Sequence, residues 1–200
     1  MPAISRKRGV RTALIIIDVQ NDFTEGGSLA VKGGNRTAAV ITEYVLATRG
    51  NYEHVIASRD WHSPNGDNGG HFASKPDYLT TWPVHCVEGT PGAAYNPALR
   101  TDLIDVQVYK GNGSPAYSAF EASTPGGTPL ADVLTKSGVT EIELVGIATD
   151  HCVRATALDG VAAGFGVTVL LDKCVGVGTT TTMAAVNEMR AAGVRFNLGA

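Results

Sequence analysis

A cysteine, a lysine, two aspartates and three histidines carry most of the chemistry that can be read from this chain. Cys152 lies in E-L-V-G-I-A-T-D-H-C-V (143–153), where an apolar run turns sharply through residues 146–150 and a helix is due to begin. Free backbone N–H groups at the positive end of a helix favour a thiolate, so the position predicts a lowered pKa and a nucleophile. Most free cysteines are merely small buried residues, and the thiol therefore needs a partner to count. The adjacent His151 is a poor one, because successive residues at a helix start point about 100° apart. Asp18, which closes the apolar run I-I-I-D, can approach from another strand as the base. Lys110 closes a third run and offers a cation to hold the charge of the pair; its dull alternative is a surface ion pair.

A second constellation runs through Asp60-x-His62, His71 and His85. Asp60 and His62 fall on one side of an extended chain and can share a ligand. One such histidine would more often be a satisfied structural residue. Three of the chain's five, joined by an aspartate within residues 60–85, predict a His3Asp metal site with positions open to water or substrate. These donors suit zinc, iron or manganese and do not choose among them. His54, inside an apolar run, reads as structural.

The elements that must position these residues follow from periodicity and punctuation. Residues 13–17, 53–58, 105–109, 141–147, 167–171 and 194–198 read as strands, the first of them buried on both faces. Helices are expected from an Asn35 cap to about 49, over 130–137, 152–163 and 180–192, the last three stopped by Gly138, Gly164 and Gly193. Asp172 is expected to end the fifth strand. Alternating strands and helices predict a doubly wound, Rossmann-like α/β fold, with a mostly parallel sheet and helices on both faces in one domain. In such a sheet the carboxyl ends of the strands share the edge where ligands bind. Asp18, Asp60, Lys110 and the Cys152 turn all fall there. The long segment 61–97, rich in Gly, Pro, Asn, His and aromatics, reads as a functional loop.

Composition narrows the field. Two hundred residues suit one domain with a substantial core, and a net charge of −3 gives no footprint for nucleic acid or for a membrane surface. No apolar run reaches the length of a membrane span, and no signal-type stretch follows the basic N-terminus. Residues 1–11 are expected to be a flexible tail ahead of a domain over 12–200. Three cysteines make no disulfide framework, so a cytoplasmic location is expected. Cys86 and Cys174 suggest no role.

The motifs I-I-I-D-V-Q-N-D-F, S-R-D-W-H, G-H-F, T-T-W-P-V-H-C, V-Y-K-G, Y-S-A-F and G-I-A-T-D-H-C-V occur in that order across residues 12–175. In them the chain closely resembles the nicotinamidases (pyrazinamidases) of the isochorismatase-like cysteine hydrolase superfamily. The resemblance implies a triad of Asp18, Lys110 and Cys152, and a metal held by Asp60, His62, His71 and His85 whose open position takes a pyridine nitrogen or water. It implies a cis peptide between Ile147 and Ala148, with the N–H groups of Ala148 and Cys152 as an oxyanion hole. Phe23, Trp82 and Tyr117 match the family's aromatic walls, and Ile147 is expected beside the substrate. The segment between His62 and His71, S-P-N-G-D-N-G-G, is longer than the compact form of its motif.

The expected activity is hydrolysis of nicotinamide, and of pyrazinamide, to the carboxylic acid and ammonia through a Cys152 thioester, a step of NAD salvage. One divalent metal ion, no organic cofactor, a small aromatic carboxamide as substrate and a monomer or homo-oligomer complete the expectation. Two alternatives stand beside it. Another amidase or an isochorismate-type hydrolase of the superfamily would keep the triad without needing the histidines. A non-enzymatic metal-binding module would need the histidines and be indifferent to Asp18 and Lys110.

Overall fold

The apolar runs form the strands expected of them, and the sheet they build is wholly parallel. In this computed structural model, which describes residues 9–198, the strands are β1 (Thr12–Ile17), β2 (His54–Asp60), β3 (Val106–Lys110), β4 (Glu141–Ile147), β5 (Gly166–Val175) and β6 (Arg195–Asn197). Between them run α1 (Gly34–Thr48), α2 (Leu130–Lys136), α3 (Arg154–Ala162) and α4 (Thr179–Ala191). The strand order is β3-β2-β1-β4-β5-β6, and each neighbouring pair is parallel. The order reverses between β1 and β4, which opens a crevice at their carboxyl ends. Asp18 follows one of these strands and the Cys152 turn follows the other.

Alternation along β1 distributes its side chains to two cores. Ala13, Ile15 and Ile17 join Leu130, Leu134, Ala157 and Met189 on the face covered by α2, α3 and α4. Leu14 and Ile16 join Ala38, Ile41 and Val45 of α1 on the other. A strand buried on both faces has to be continuously apolar, as this one is.

Four local expectations are corrected. Gly33, with φ of 96°, stands at the N-cap of α1 in place of Asn35. The Glu25 carboxylate accepts from the backbone N–H groups of both Gly33 (2.5 Å) and Asn35 (2.7 Å), doing from a distance what a local cap would do. β5 does not end at Asp172 but continues to Val175, past a register shift against β4 between Leu144 and Gly146. Cys152 does not open an α-helix; it sits in a wider turn, Thr149–Val153, closed by Val153 N–H donating to the Ala148 carbonyl at 3.1 Å. Such i→i+5 turns are rare and are found mostly at functional sites. Of the expected tail at 1–11, residues 1–8 lie outside the described residues. Arg11 already runs with the sheet, its carbonyl accepting from Thr140 N (3.0 Å) and Glu141 N (3.1 Å).

Gly146 is where β4 comes closest to its neighbour. Its φ is +124°, and an added Cβ would lie 2.7 Å from the Ile17 nitrogen, with the Ile17 carbonyl oxygen closer still. Neither backbone can yield without breaking the ladder that brings Asp18 to the crevice. Gly146→Ala is therefore expected to destabilise the fold by more than about 2 kcal/mol, read as a lowered midpoint in denaturant titration. A midpoint equal to wild type would contradict this packing.

Candidate active site

Four strand ends deliver four charged or nucleophilic groups to one buried point. β1 ends in Asp18, whose φ of 47° breaks the strand abruptly. Ser58, near the end of β2, donates to Asp18 Oδ1 at 2.6 Å and accepts from the Asp18 N–H at 3.3 Å, which orients the carboxylate. Lys110 Nζ, at the end of β3, lies 2.9 Å from Asp18 Oδ2 and also donates to Asp60 Oδ1 and, at 3.5 Å, to the Ala116 carbonyl. Its fourth neighbour is Cys152 Sγ at 3.7 Å. Asp18, Asp60, Lys110 and Cys152 are all buried.

Burial decides much of the electrostatics. It pushes the Cys152 thiol well above its ordinary range; Lys110 opposes the rise, while Asp18 and Asp60 add to it. The lowered pKa expected from the helix start is thus overturned, because loss of water outweighs the field of a few N–H groups. The thiol is protonated and needs a base. Burial also raises Asp18, against Lys110 and with the help of Asp60. Asp60 goes the other way: burial alone would raise it, but Lys110, with the His62 and His85 rings beside the carboxylate, holds it well below the carboxylate range. Burial would discharge Lys110, yet Asp18, Asp60 and Cys152 together keep its ammonium well above its ordinary value.

On the far side of Asp60 lie the histidines. Asp60 Oδ2 is 3.6 Å from His62 Nε2 and 3.7 Å from His85 Nε2. One ring nitrogen from each of His62, His71 and His85 falls within 4.8 Å of the others, and all three side chains are buried. Nδ1 of His62 is bonded to the Gly111 carbonyl (2.8 Å) and Nδ1 of His85 to the Pro83 carbonyl (2.7 Å). Those acceptors fix the tautomer and leave each Nε2 lone pair facing inward. The buried His62 Nε2 and His71 Nδ1 find no hydrogen-bond partner among the described residues. Burial and the neighbouring rings of His62 and His85 lower His71 to about 4, so it stays a neutral donor. Imidazole nitrogens turned inward beside an ionised carboxylate are what a divalent cation requires.

Cys152, His71 and His85 open onto a cavity of about 120 Å3, with Asp18, Lys110 and His62 packed behind them. Phe23, Trp82, Tyr117 and Ile147 all line it, together with Asp60, His71, His85, Ala148 and Cys152. The Ile147–Ala148 peptide is cis, as the resemblance implied. The walls interlock: Trp82 Nε1 donates to Tyr117 Oη at 2.8 Å, and the His151 ring stands at 90° to Trp82 and stacks on Tyr117. Burial lowers His151, and it faces these rings from the cavity wall. His54 bonds Ser137 away from the site, at 2.7 Å.

Comparison with known proteins agrees with this geometry. The isochorismatase domain model matches residues 12–197. The chain belongs to the isochorismatase family. Among members of that family it is 53% identical to a nicotinamidase/pyrazinamidase of Mycobacterium tuberculosis, over 92% of this chain and 97% of that one. Its fold matches the pyrazinamidase of Pyrococcus horikoshii solved in complex with zinc, with a TM-score of 0.80 and 35% identity over 94% and 98% of the two chains. The protein PnC1 from L. infantum, solved in complex with nicotinate, matches with a TM-score of 0.80 and 32% identity over 94% and 93%. No helix among the described residues is long and apolar enough to cross a membrane.

Several residues that build the family site here gave no signal in the sequence. Gln20 Nε2 donates to the Asp60 (2.8 Å) and Ala93 (3.0 Å) carbonyls, and its Oε1 accepts from Asp60 N–H, pinning the end of β2. Asp22 accepts from the N–H of Cys86, whose φ of 46° turns the chain directly after His85. Asp150 accepts from Val177 N and Thr181 Oγ1 and ties the Cys152 turn to the start of α4. Thr156 donates to the Cys152 carbonyl at 2.7 Å and accepts from Ala119 N at 2.9 Å. Burial raises both remaining thiols, Cys174 to about 12, which disfavours their thiolates.

Because Asp18 is one of the groups raising the Cys152 pKa, Asp18→Asn is expected to move thiol alkylation by iodoacetamide to lower pH than in wild type. An unchanged or higher apparent pKa would contradict the arrangement.

Proposed function

We propose that this protein is a metal-containing amidohydrolase that converts nicotinamide, and pyrazinamide, to the carboxylic acid and ammonia, working in the cytoplasm as a step of NAD salvage. The observation that carries the reading is the aromatic-walled cavity lined by Cys152, Asp60, His71 and His85, with the buried Asp18–Lys110 pair directly behind Cys152 and His62 completing the cluster of histidines. A relative named for this activity, and a similar protein from L. infantum solved in complex with nicotinate, support it.

In the proposed reaction Phe23, Trp82 and Tyr117 hold the flat ring so that the amide carbon faces Cys152 Sγ. Asp18 takes the thiol proton as the carbon–sulfur bond forms, and Lys110 keeps the carboxylate in place. A thiol raised by burial and a carboxyl raised beside it are suited to share a proton, with no free thiolate required beforehand. The backbone N–H groups of Ala148 and Cys152 receive the oxyanion, each worth about 3 kcal/mol in such sites. Asp18 returns the proton to the leaving ammonia, and the Cys152 thioester remains. Water, deprotonated by Asp18, then attacks the thioester, and the acid departs as the thiol is restored. Asp60, His62, His71 and His85 would hold a divalent ion, with zinc, iron and manganese all suited to the donors. Such an ion supplies a Lewis-acidic position for a ring nitrogen or water beside the walls.

Ammonia release from nicotinamide by the purified protein tests the reading directly. Cys152→Ala is expected to lower kcat by at least about 1000-fold with the fold intact, and full activity in that variant would overturn the covalent route. Metal analysis after exhaustive dialysis is expected to find one divalent ion per chain in wild type and its loss in His71→Ala. Equal metal content in the two would remove His71 from the ligand set.

A further inference from the structure

The histidines share their segment with the wall residue Trp82, whose backbone N–H donates to the His71 carbonyl at 2.9 Å, whereas Tyr117 sits on a separate stretch of chain whose placement has to be held by something. The long segment between His62 and His71 packs against residues 111–115, which lead from Lys110 to the wall residue Tyr117. His62 Nδ1 bonds the Gly111 carbonyl at 2.8 Å, so close that a Cβ on Gly111 would lie 2.6 Å from His62 Cε1. Gly69, with φ of +70°, lies against Pro115, where a Cβ would come within 3.1 Å of Cδ.

Between these two contacts stands Asn68, 2% exposed in a stretch whose neighbours are mostly open to solvent. Its Oδ1 accepts from Ser63 N at 2.8 Å and from Gly113 N at 3.0 Å. Its Nδ2 donates to the Ser63 carbonyl at 3.0 Å, and its own carbonyl accepts from His71 N at 3.4 Å. Its φ of 51° lies in the left-handed region, which asparagine tolerates better than most residues. Asn68 does not line the cavity. Its side chain is spent on joining the loop that carries His71 to the segment that carries Tyr117, whose ring meets that of His71 edge-on at 5.8 Å.

We propose that Asn68 is a positioning residue that clamps the His71 loop to residues 111–117, so that metal binding and the shape of the aromatic wall are coupled. The inference rests on the reading of His62, His71 and His85 as metal ligands. His71 N–H is bonded to the Asn68 carbonyl, so a His71 ring held in a metal site would also hold Asn68 and, through Gly113 N–H, the approach to Tyr117. Coupling of this kind is reciprocal, so loosening the clamp weakens the metal as well as the wall.

The test uses zinc ions as the probe, in competition with a chromophoric chelator, and hydrogen exchange of residues 111–117 with and without zinc. Wild type is expected to bind one zinc and to gain about tenfold protection over 111–117. Asn68→Gly keeps the left-handed backbone and removes the clamp. It is expected to weaken zinc by about ten- to a hundredfold and to abolish the gain in protection. Asn68→Asp retains both acceptor bonds but sets an oxygen against the Ser63 carbonyl in place of the Nδ2 donor, and it is expected to lose less than Asn68→Gly does. Wild-type affinity in Asn68→Gly, equal losses in the two variants, or exchange over 111–117 that ignores zinc in wild type would each overturn the coupling. A wild-type protein that takes up no zinc would instead overturn the metal reading itself.

Discussion

The ammonium of Lys110, buried between the carboxylates of Asp18 and Asp60, is the interaction on which the crevice depends. A charge taken out of water persists only where partners replace its hydration, and here the partners come from the two adjacent strand ends. β3 supplies the cation, β2 and β1 the anions, and the parallel register aligns Asp60 directly with Lys110. Removing the cation would leave two carboxylates buried side by side, a loss of about 3–5 kcal/mol in comparable cases. Sheet order and site are therefore one constraint. A strand slipped by one residue would turn these side chains to the opposite face.

The same ammonium treats its two neighbours unequally. Asp60 has two imidazoles on its far side and stays ionised; Asp18 has Ser58 and, across the lysine, the charge of Asp60, which burial adds to. Environments that push a pair of carboxyls apart are how one site comes to hold both a permanent anion and a group able to carry a proton. The permanent anion faces the histidines and the other faces the thiol, which is the division that metal binding on one side and proton transfer on the other would need.

Much of this was legible in the sequence because it depends on local pattern. Apolar runs ending in Asp18, Asp60 and Lys110 put those residues at carboxyl strand ends, and the alternating sheet brought them together. What stayed hidden depends on distant partners or on burial. Gln20, Ser58 and Asn68 look like ordinary polar residues until their hydrogen bonds to segments up to 73 residues away in sequence are seen. Glu25 caps α1 from eight residues upstream of Gly33, where no local cap pattern could reveal it. The direction of the Cys152 shift was misjudged for a related reason: a helix start is visible in sequence, whereas the loss of water around the thiol is not.

The wall formed by Trp82, Tyr117 and His151 comes from three remote segments, and its members hold one another. Trimming Trp82 would leave the Tyr117 hydroxyl without its donor and the His151 ring without its edge-on neighbour. Substitutions among residues in contact do not add, and a single exchange here disturbs two partners at once. A change of substrate in this pocket is thus a problem of sequence history. The path to a differently shaped wall runs through paired replacements whose order matters, and many of its single steps are closed.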